Sequence, residues 1–226
     1  MEKSEFIVIF GDIKIDRTAF VCKLIKESQI KNIFVLANEE YDMYLPLLQD
    51  ETHLIRDNFL GFLDLLQLKQ VSNIRNQKPN DRRTPDTLVI IDCMDYMWKL
   101  MNDRIFIHSY LYNVRHHKIK FIFVLNNEGR SIFDIQEKYQ LSLQLATDFY
   151  VNEKEAVKRF IDQSLLYADY VYLFHLPKEI NPKKLQDFLH ESDFQILMNL
   201  LQEKSSLDVV MMKIQSDECK FLIIKN

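Results

Sequence analysis

Three short polar stretches, each directly after a run of apolar residues, carry the residue types that handle phosphate and divalent metal. They are residues 11–18, 92–95 and 126–130. In an open parallel sheet, ligands bind at the carboxyl ends of the strands, where helix N-termini present backbone N–H groups and a positive dipole end. The coincidence of three such stretches at strand ends predicts a phosphate site at one edge of the sheet.

The first stretch, GDIKIDRT, aligns with the phosphate-loop pattern G-x-x-x-x-G-K-S/T. In that pattern backbone amides cradle phosphates, the lysine reaches the outer phosphates and the hydroxyl binds Mg²⁺. Gly11 and Thr18 match, whereas Asp16 replaces the second glycine and Arg17 the lysine. Asp tolerates a left-handed backbone, which would preserve the loop shape, but its carboxylate repels phosphate. Arg17 keeps the charge on a bulky planar group. Taken alone, the stretch also fits a strand–turn–helix without a ligand.

The second stretch ends the run LVIIDCMD, which has the form of a Walker B strand. In such a strand the terminal acid holds Mg²⁺ directly or through water, a position that Asp92 fits. Cys93 follows at the place where many such ATPases carry the acid that activates water, so Asp95 is the nearby substitute. A buried strand ending in a helix cap explains the same residues, because Asp is a favoured N-cap.

The third stretch begins with Asn126 and ends with Arg130. An amide at a strand end can orient water or sense a terminal phosphate, as glutamine does in other NTPases, and ordinary turn chemistry explains it equally well. Upstream, Arg115 belongs to the basic cluster RHHKIK at the predicted end of a helix. Pairing with the dipole of that helix end is the alternative role for the cluster.

Apolar runs and helix-like segments predict the elements that must position these residues. The predicted strands are residues 5–10, 32–36, 53–55, 87–91, 120–125 and 170–174, with a terminal hairpin of 207–214 and 220–224. The predicted helices are a segment from 18 to 28, then 58–76, 96–116, 153–166 and a helical region within 182–204, while residues 148–151 are read as part of a further α/β unit. Strands without polar alternation, separated by helices, indicate a parallel sheet covered on both faces.

The fold class predicted is therefore α/β, a three-layer sandwich with a mainly parallel central sheet. We expect a single domain over 1–226, with a core of 5–175 and a helical and hairpin extension of 176–226. A hydrophobic content of 47% is ample for such a core. Three widely spaced cysteines, Cys22, Cys93 and Cys219, suggest neither disulfides nor a zinc site, so we expect a reducing, intracellular compartment.

The net charge of -4 argues against a surface devoted to nucleic acid but leaves room for a local basic channel. No apolar stretch approaches the roughly 20 residues of a membrane span, so no membrane partner is expected. The candidates for contacting DNA are basic residues of one region, Arg75, Lys78, Arg82 and Arg83. A solvated loop is the alternative role for that region.

The order of these motifs resembles that of the poxvirus-type DNA-packaging ATPases of large DNA viruses and related mobile elements, within the FtsK/HerA superfamily of P-loop NTPases. In that family a helix ending in Gly-Arg-His precedes a strand closed by glutamine. The segment YLYNVRHHKIKFIFVLNN corresponds, with Arg115 and His116 on the Arg-His pair, Val114 in place of the glycine, and Asn126 on the glutamine. The resemblance covers residues 5–150 well and the remainder loosely.

This resemblance implies ATP-driven, Mg²⁺-dependent translocation of viral DNA into a capsid by a homo-oligomeric ring. The catalytic candidates that it implies are Asp92, Asp95, Asn126, Arg115 and Arg130. The residues expected to bind the nucleotide are Gly11, Asp16, Arg17 and Thr18, and those expected to bind Mg²⁺ are Thr18 and Asp92. Departures at three of the defining positions favour weakened or absent hydrolysis. Two alternatives stay open: a non-catalytic pseudo-ATPase within a virion or packaging complex, and another nucleotide-dependent DNA-binding protein. The expected location is the host cytoplasm or a viral factory, or the virion itself.

Overall fold

The central feature of the fold is one sheet, in the order β2-β3-β4-β1-β5-β6-β7. The computed structural model describes residues 6–11, 14–37, 41–48, 55, 61, 86–92, 119–126, 132–174, 189–205, 208–214 and 219–225. The strands are β1 Phe6–Gly11, β2 Asn32–Ala37, β3 Thr87–Asp92, β4 Ile119–Asn126, β5 Tyr170–Leu173, β6 Val209–Ile214 and β7 Cys219–Ile224. The helices are α1 Lys14–Ser28, α2 Tyr41–Tyr44, α3 Ile132–Tyr139, α4 Leu143–Tyr167 and α5 Glu191–Glu203, with a 3-10 turn at Leu45–Leu47.

The five strands from β2 to β5 in this order are parallel, and β4 lies between β1 and β3. β6 and β7 then extend the sheet in antiparallel fashion from β5. The mainly parallel α/β architecture and the C-terminal hairpin are thus as the sequence predicted. All parallel strands direct their carboxyl ends to the same edge, which we call the carboxyl edge.

Alternating side chains of the apolar strands fill two cores, one on each face of the sheet. On β1, Phe6, Val8 and Phe10 pack into one core, and Ile7 and Ile9 into the other. We call these the first face and the second face. Because both sides of such a strand are buried, its sequence is continuously apolar rather than alternating.

Helices cover both faces of the sheet and form the two outer layers of the sandwich. Phe194 and Leu197 of α5 pack on the first face, whereas Phe20 and Val21 of α1 pack on the second. The N-terminal end of α1 lies near the carboxyl edge, because the helix begins at Lys14, shortly after β1 ends at Gly11.

Helix α1 ends through a local polar arrangement. The Ser28 hydroxyl donates to the Ile25 carbonyl at 2.7 Å and accepts from the Ile30 amide at 3.3 Å. Gln29 then adopts a left-handed backbone with φ of 56°, a conformation that is common at helix ends. The chain is thereby turned into β2.

Two expectations differ from the structure. Residues 148–151 lie inside α4, where Gln144 donates to Asp148 at 3.2 Å and Thr147 to the Leu143 carbonyl at 2.8 Å. A short apolar run such as FYV does not distinguish a strand from a helix by period alone. Helix α1 begins at Lys14, earlier than predicted.

The remaining predicted elements fall partly outside the described residues. Of the predicted strand 53–55 only Ile55 is described, and its amide donates to the Val35 carbonyl of β2 at 2.8 Å. Of the predicted helix 58–76 only Gly61 is described, and it is helical, while the predicted helix 96–116 lies outside the described residues.

Candidate functional site

The candidate site lies at the carboxyl edge, where the ends of β1, β3 and β4 come together. Gly11 pairs with Asn126 across β1 and β4, and Asp92 pairs with Ala37 across β3 and β2. Since β4 separates β1 from β3, the backbone at Gly11 and Asp92 is two strand spacings apart, roughly 10 Å. The three polar stretches predicted to converge therefore have their strand ends on one edge of one parallel sheet.

Gly11 is held by close packing rather than by its backbone angles. A Cβ at this position would lie 3.1 Å from Cδ2 and 3.2 Å from Cβ of Phe174. The Phe174 amide donates to the Phe10 carbonyl at 2.9 Å, which continues the pairing of β5 with β1. Any side chain at residue 11 would press against this ring.

The stretch predicted as a phosphate loop is mostly helix. Residues 14–18 belong to α1, so Asp16 lies in the first turn of the helix. Among the described residues, only Gln29 and Gln140 combine a side chain with positive φ, so the left-handed conformation considered for Asp16 is not adopted. The helix N-terminus consequently starts close to the end of β1, where its positive dipole end favours an anion.

Arg17 is folded back into the protein. It is 2% exposed, and its Nη1 donates to the carbonyl of Gly11 at the end of β1. Its Nε is buried and has no hydrogen-bond partner in the described part of the chain. A buried cationic donor without a partner is costly, and an anion is the group that would satisfy it.

Thr18 and Asp92 are joined by a third residue, Tyr44. The Tyr44 hydroxyl donates to Oδ2 of Asp92 at 2.7 Å and is also hydrogen-bonded to the Thr18 side chain. Tyr44 and Thr18 are fully buried, and Asp92 is partly exposed. The two residues predicted to bind Mg²⁺ therefore belong to one hydrogen-bonded group, with the phenol between them.

Tyr44 is positioned by the short helix α2 and the turn that follows it. The Cys22 thiol of α1 donates to the Met43 carbonyl at 3.7 Å, and the Tyr44 ring packs in the core of the second face. The turn Leu45–Leu47 contains Pro46, and the Leu48 amide closes it on the Leu45 carbonyl at 3.2 Å. Pro46 fixes its own φ and stiffens this connection.

The electrostatics of the site keep the phenol neutral. Burial raises the pKa of Tyr44 well above its usual value, and the negative charge of Asp92 and the hydrogen bond to it act in the same direction. Burial likewise raises the pKa of the Cys22 thiol, with a smaller opposing effect from Lys26. At neutral pH the Tyr44 hydroxyl is consequently a donor to a carboxylate.

The oxygen atoms of Thr18 and Asp92 are of the chemical kind that Mg²⁺ accepts as ligands. This ion takes few protein ligands, commonly one carboxylate, and completes its shell with water and substrate phosphates. Among the described residues there is no cluster of three or more His, Cys, Asp and Glu side chains, so nothing in that part of the chain resembles a zinc site. In the described part of the carboxyl edge, Thr18 supplies a hydroxyl and Asp92 a carboxylate.

Sequence reasoning did not single out Tyr44, although it lies in the segment after the second strand. Other predicted residues lie outside the described part of the chain: Asp95, Arg115, Arg130, Arg75, Lys78, Arg82 and Arg83. For Asn126 the backbone is described, at the end of β4 beside Gly11. In the described part of the chain, no helix is both long enough and apolar enough to cross a membrane.

Solved structures of a viral protein share this fold along nearly the whole chain. The genome packaging NTPase B204 of Sulfolobus turreted icosahedral virus 2, in complex with sulfate, matches with a TM-score of 0.55 at 13% identity, covering 100% of both chains. Its complex with AMP gives 0.54 at 13% identity, covering 97% of this chain and 98% of that one. Its complex with ATP-gammaS gives 0.53 at 11% identity, covering 98% and 97%. No family model matches the sequence, and no curated protein matches it significantly. The chain thus has the P-loop NTPase-like α/β fold of that packaging NTPase.

Proposed function

We propose that this chain is a divergent genome-packaging ATPase homologue that binds a nucleoside triphosphate at the carboxyl edge, with hydrolysis weakened or lost. The observation that carries the proposal is Arg17, a nearly fully buried guanidinium at the end of β1 whose Nε lacks a partner among the described residues. Phosphate oxygens are strong acceptors for such a donor. The likeness to a packaging NTPase solved with sulfate, AMP and ATP-gammaS supports the choice of ligand.

Different residues of the carboxyl edge would bind the phosphates and the metal ion. The N-terminal amides of α1 and the Arg17 guanidinium would hold phosphate, and Thr18 and Asp92 would hold Mg²⁺. When bound, Mg²⁺ would neutralise charge on the outer phosphates. Asn126, at the end of β4, is the candidate for orienting water.

The same geometry supports the weak hydrolysis in this proposal. Arg17 donates to the Gly11 carbonyl, and so it must turn outward before it can reach phosphate. The first turn of α1 also carries Asp16, a negative charge at the helix end that would receive phosphate. Cys93 stands where many ATPases carry a second acid. Each departure lowers the stabilisation of a charged transition state.

DNA translocation, assembly into a ring and association with capsid or packaging proteins are parts of the same proposal. Their support is the likeness to a genome packaging NTPase. Arg75, Lys78, Arg82 and Arg83 are the proposed DNA contacts, with Arg115 and Arg130 as candidates for stabilising phosphate charge. A steep fall in DNA affinity with rising salt concentration would support these DNA contacts.

The test is isothermal titration of ATP, ADP and ATP-gammaS with and without Mg²⁺. We expect weak, Mg²⁺-dependent binding to the wild type and tighter binding after the repair Arg17→Lys with Asp16→Gly. The exposed Arg159, whose Nε donates to the Glu155 carbonyl of its own helix, supplies the matched control Arg159→Lys. No binding to either the wild type or the repaired protein contradicts the proposal.

The second candidate, a non-catalytic interaction subunit, is favoured by the Tyr44 arrangement. The phenol satisfies Asp92 and Thr18 without a ligand, which suits a site that no longer cycles. This candidate predicts stable self-association or capsid binding without ATP turnover. DNA-stimulated ATP hydrolysis that disappears in Asp92→Ala would exclude it.

A further inference from the structure

The Tyr44 hydroxyl stands between the two oxygens that would ligate a cation. It donates to Oδ2 of Asp92 at 2.7 Å and is hydrogen-bonded to the Thr18 side chain. Two hydroxyl hydrogen bonds in series, each of roughly 2.7–2.8 Å, hold their outer oxygens about 4.5 Å apart at a tetrahedral angle. In an octahedral Mg²⁺ shell with bonds of about 2.1 Å, neighbouring ligands lie only about 3 Å apart.

A cation bound in adjacent positions by the Thr18 hydroxyl and by Oδ2 of Asp92 therefore needs these two atoms closer together than the phenol between them allows. Thr18 and Asp92 would have to approach each other, and the Tyr44 hydroxyl would have to leave the space between them. The ring itself is fully buried in the core of the second face, so it does not leave freely. Its helix is short, and the Cys22 thiol joins it to α1 through the Met43 carbonyl.

We propose that Tyr44 is a gate on the cation site: its hydroxyl substitutes for the metal between Thr18 and Asp92, and cation loading displaces it. The proposal rests on the proposed Mg²⁺ site and deepens it. It assigns Tyr44 as the residue that sets the cation concentration at which Thr18 and Asp92 bind the cation. Movement of α2 and of the turn Leu45–Leu47 would accompany loading.

A hydrogen bond to the Asp92 carboxylate holds the Tyr44 hydroxyl between Thr18 and Asp92. The Tyr44 hydroxyl donates to Oδ2 of Asp92 at 2.7 Å, a length typical of an O–H bond to a carboxylate. It consequently competes with a cation for the same carboxylate oxygen. Loss of one such bond corresponds to roughly a tenfold change in affinity or more.

The experiment is a titration of Mn²⁺, followed by electron paramagnetic resonance of the free ion, without nucleotide. We expect Tyr44→Phe, which keeps the ring and removes the hydroxyl, to bind Mn²⁺ roughly tenfold more tightly than the wild type. Tyr172→Phe is the matched control, because this tyrosine is also buried but lies on β5, three strands from β3. It should leave Mn²⁺ affinity unchanged. Asp92→Asn should weaken binding in both backgrounds.

Equal or weaker Mn²⁺ binding by Tyr44→Phe overturns the gate, as does the absence of Mn²⁺ binding in both proteins. If Tyr44→Phe does not fold, the wild type itself decides. Addition of Mg²⁺ should give a blue shift in tyrosine absorbance, as one phenol loses a carboxylate acceptor, and Asp92→Asn should not show it. No shift in the wild type overturns the gate. Failure of the nucleotide titration bears on the proposed function alone, because these readouts contain no nucleotide.

Discussion

The substitution Arg17→Met should make the protein more stable and its nucleotide binding weaker. Arg17 is 2% exposed, so its charge is almost completely removed from water. The bond from Nη1 to the Gly11 carbonyl contributes about 1.5–3 kcal/mol, whereas the unsatisfied Nε costs about 1–3 kcal/mol. Desolvation of the guanidinium costs several kcal/mol more.

Methionine keeps the length of the apolar stem and removes the charge with both donors. The favourable and unfavourable hydrogen-bond terms nearly cancel, which leaves the desolvation cost to decide the sign. We expect the free energy of unfolding to rise by about 1–2 kcal/mol, in the lower part of the range seen when buried ion pairs are replaced by apolar side chains of similar size. For a chain of this size, that corresponds to a rise in Tm of about 2–8 °C.

Nucleotide affinity should fall by about 10- to 100-fold, because a charge-assisted bond to phosphate is lost. The assays are thermal and urea unfolding without nucleotide, and titration with Mg²⁺-ATP. The exposed Arg159→Met should change neither quantity appreciably. A less stable Arg17→Met protein with unchanged nucleotide affinity would refute the reasoning and make Arg17 a structural residue.

Three further predictions concern stability. Gly11→Ala should lower the free energy of unfolding by about 1–3 kcal/mol, because its Cβ would lie 3.1 Å from Phe174, and Phe174→Leu should recover part of the loss in urea unfolding. Burial and a neighbouring carboxylate raise the pKa of Tyr44 above 10.0. Its contribution to the free energy of unfolding is therefore complete below pH 10 and is lost as the pH rises further. Above that pH, the free energy of unfolding should fall less steeply in Tyr44→Phe than in the wild type. Asp169 accepts from the Phe6 amide at 2.9 Å, so Asp169→Ala should cost about 1–2 kcal/mol in urea unfolding, and no change in midpoint would contradict this.

The sequence predicts the strands well because each central one is buried on both faces. The continuous apolar runs at residues 6–10, 88–91 and 121–125 admit few other interpretations in a chain with helices between them. The terminal hairpin was also predictable, since two β-rich runs flank a short polar segment. Residues 148–151 lie within a long helix rather than in a separate element, because an apolar run this short fits a strand and a helix equally.

The residue-based reasoning could not yield the details that define the site. Parallel strands carry no local signal for their neighbours, so the position of β4 between β1 and β3 does not follow from spacing. Tyr44 bonds to Asp92, which is far away in sequence, and nothing near Tyr44 marks it as a partner. The inward turn of Arg17 depends on a backbone carbonyl, and every residue has one.

The position of β1 in the sheet has a consequence for synthesis on the ribosome. Both partners of β1 come from much later in the chain, since Phe6 pairs with Phe121 and Ile7 with Tyr170. At about 5–20 residues per second, the strand FIVIF waits roughly 6 to 30 s for them after it is made. An apolar segment left unpaired for that time is a natural target for a chaperone and a hazard for aggregation during overexpression. Slower translation should therefore lower the soluble yield of this protein, unlike that of a protein whose first strand pairs with the second.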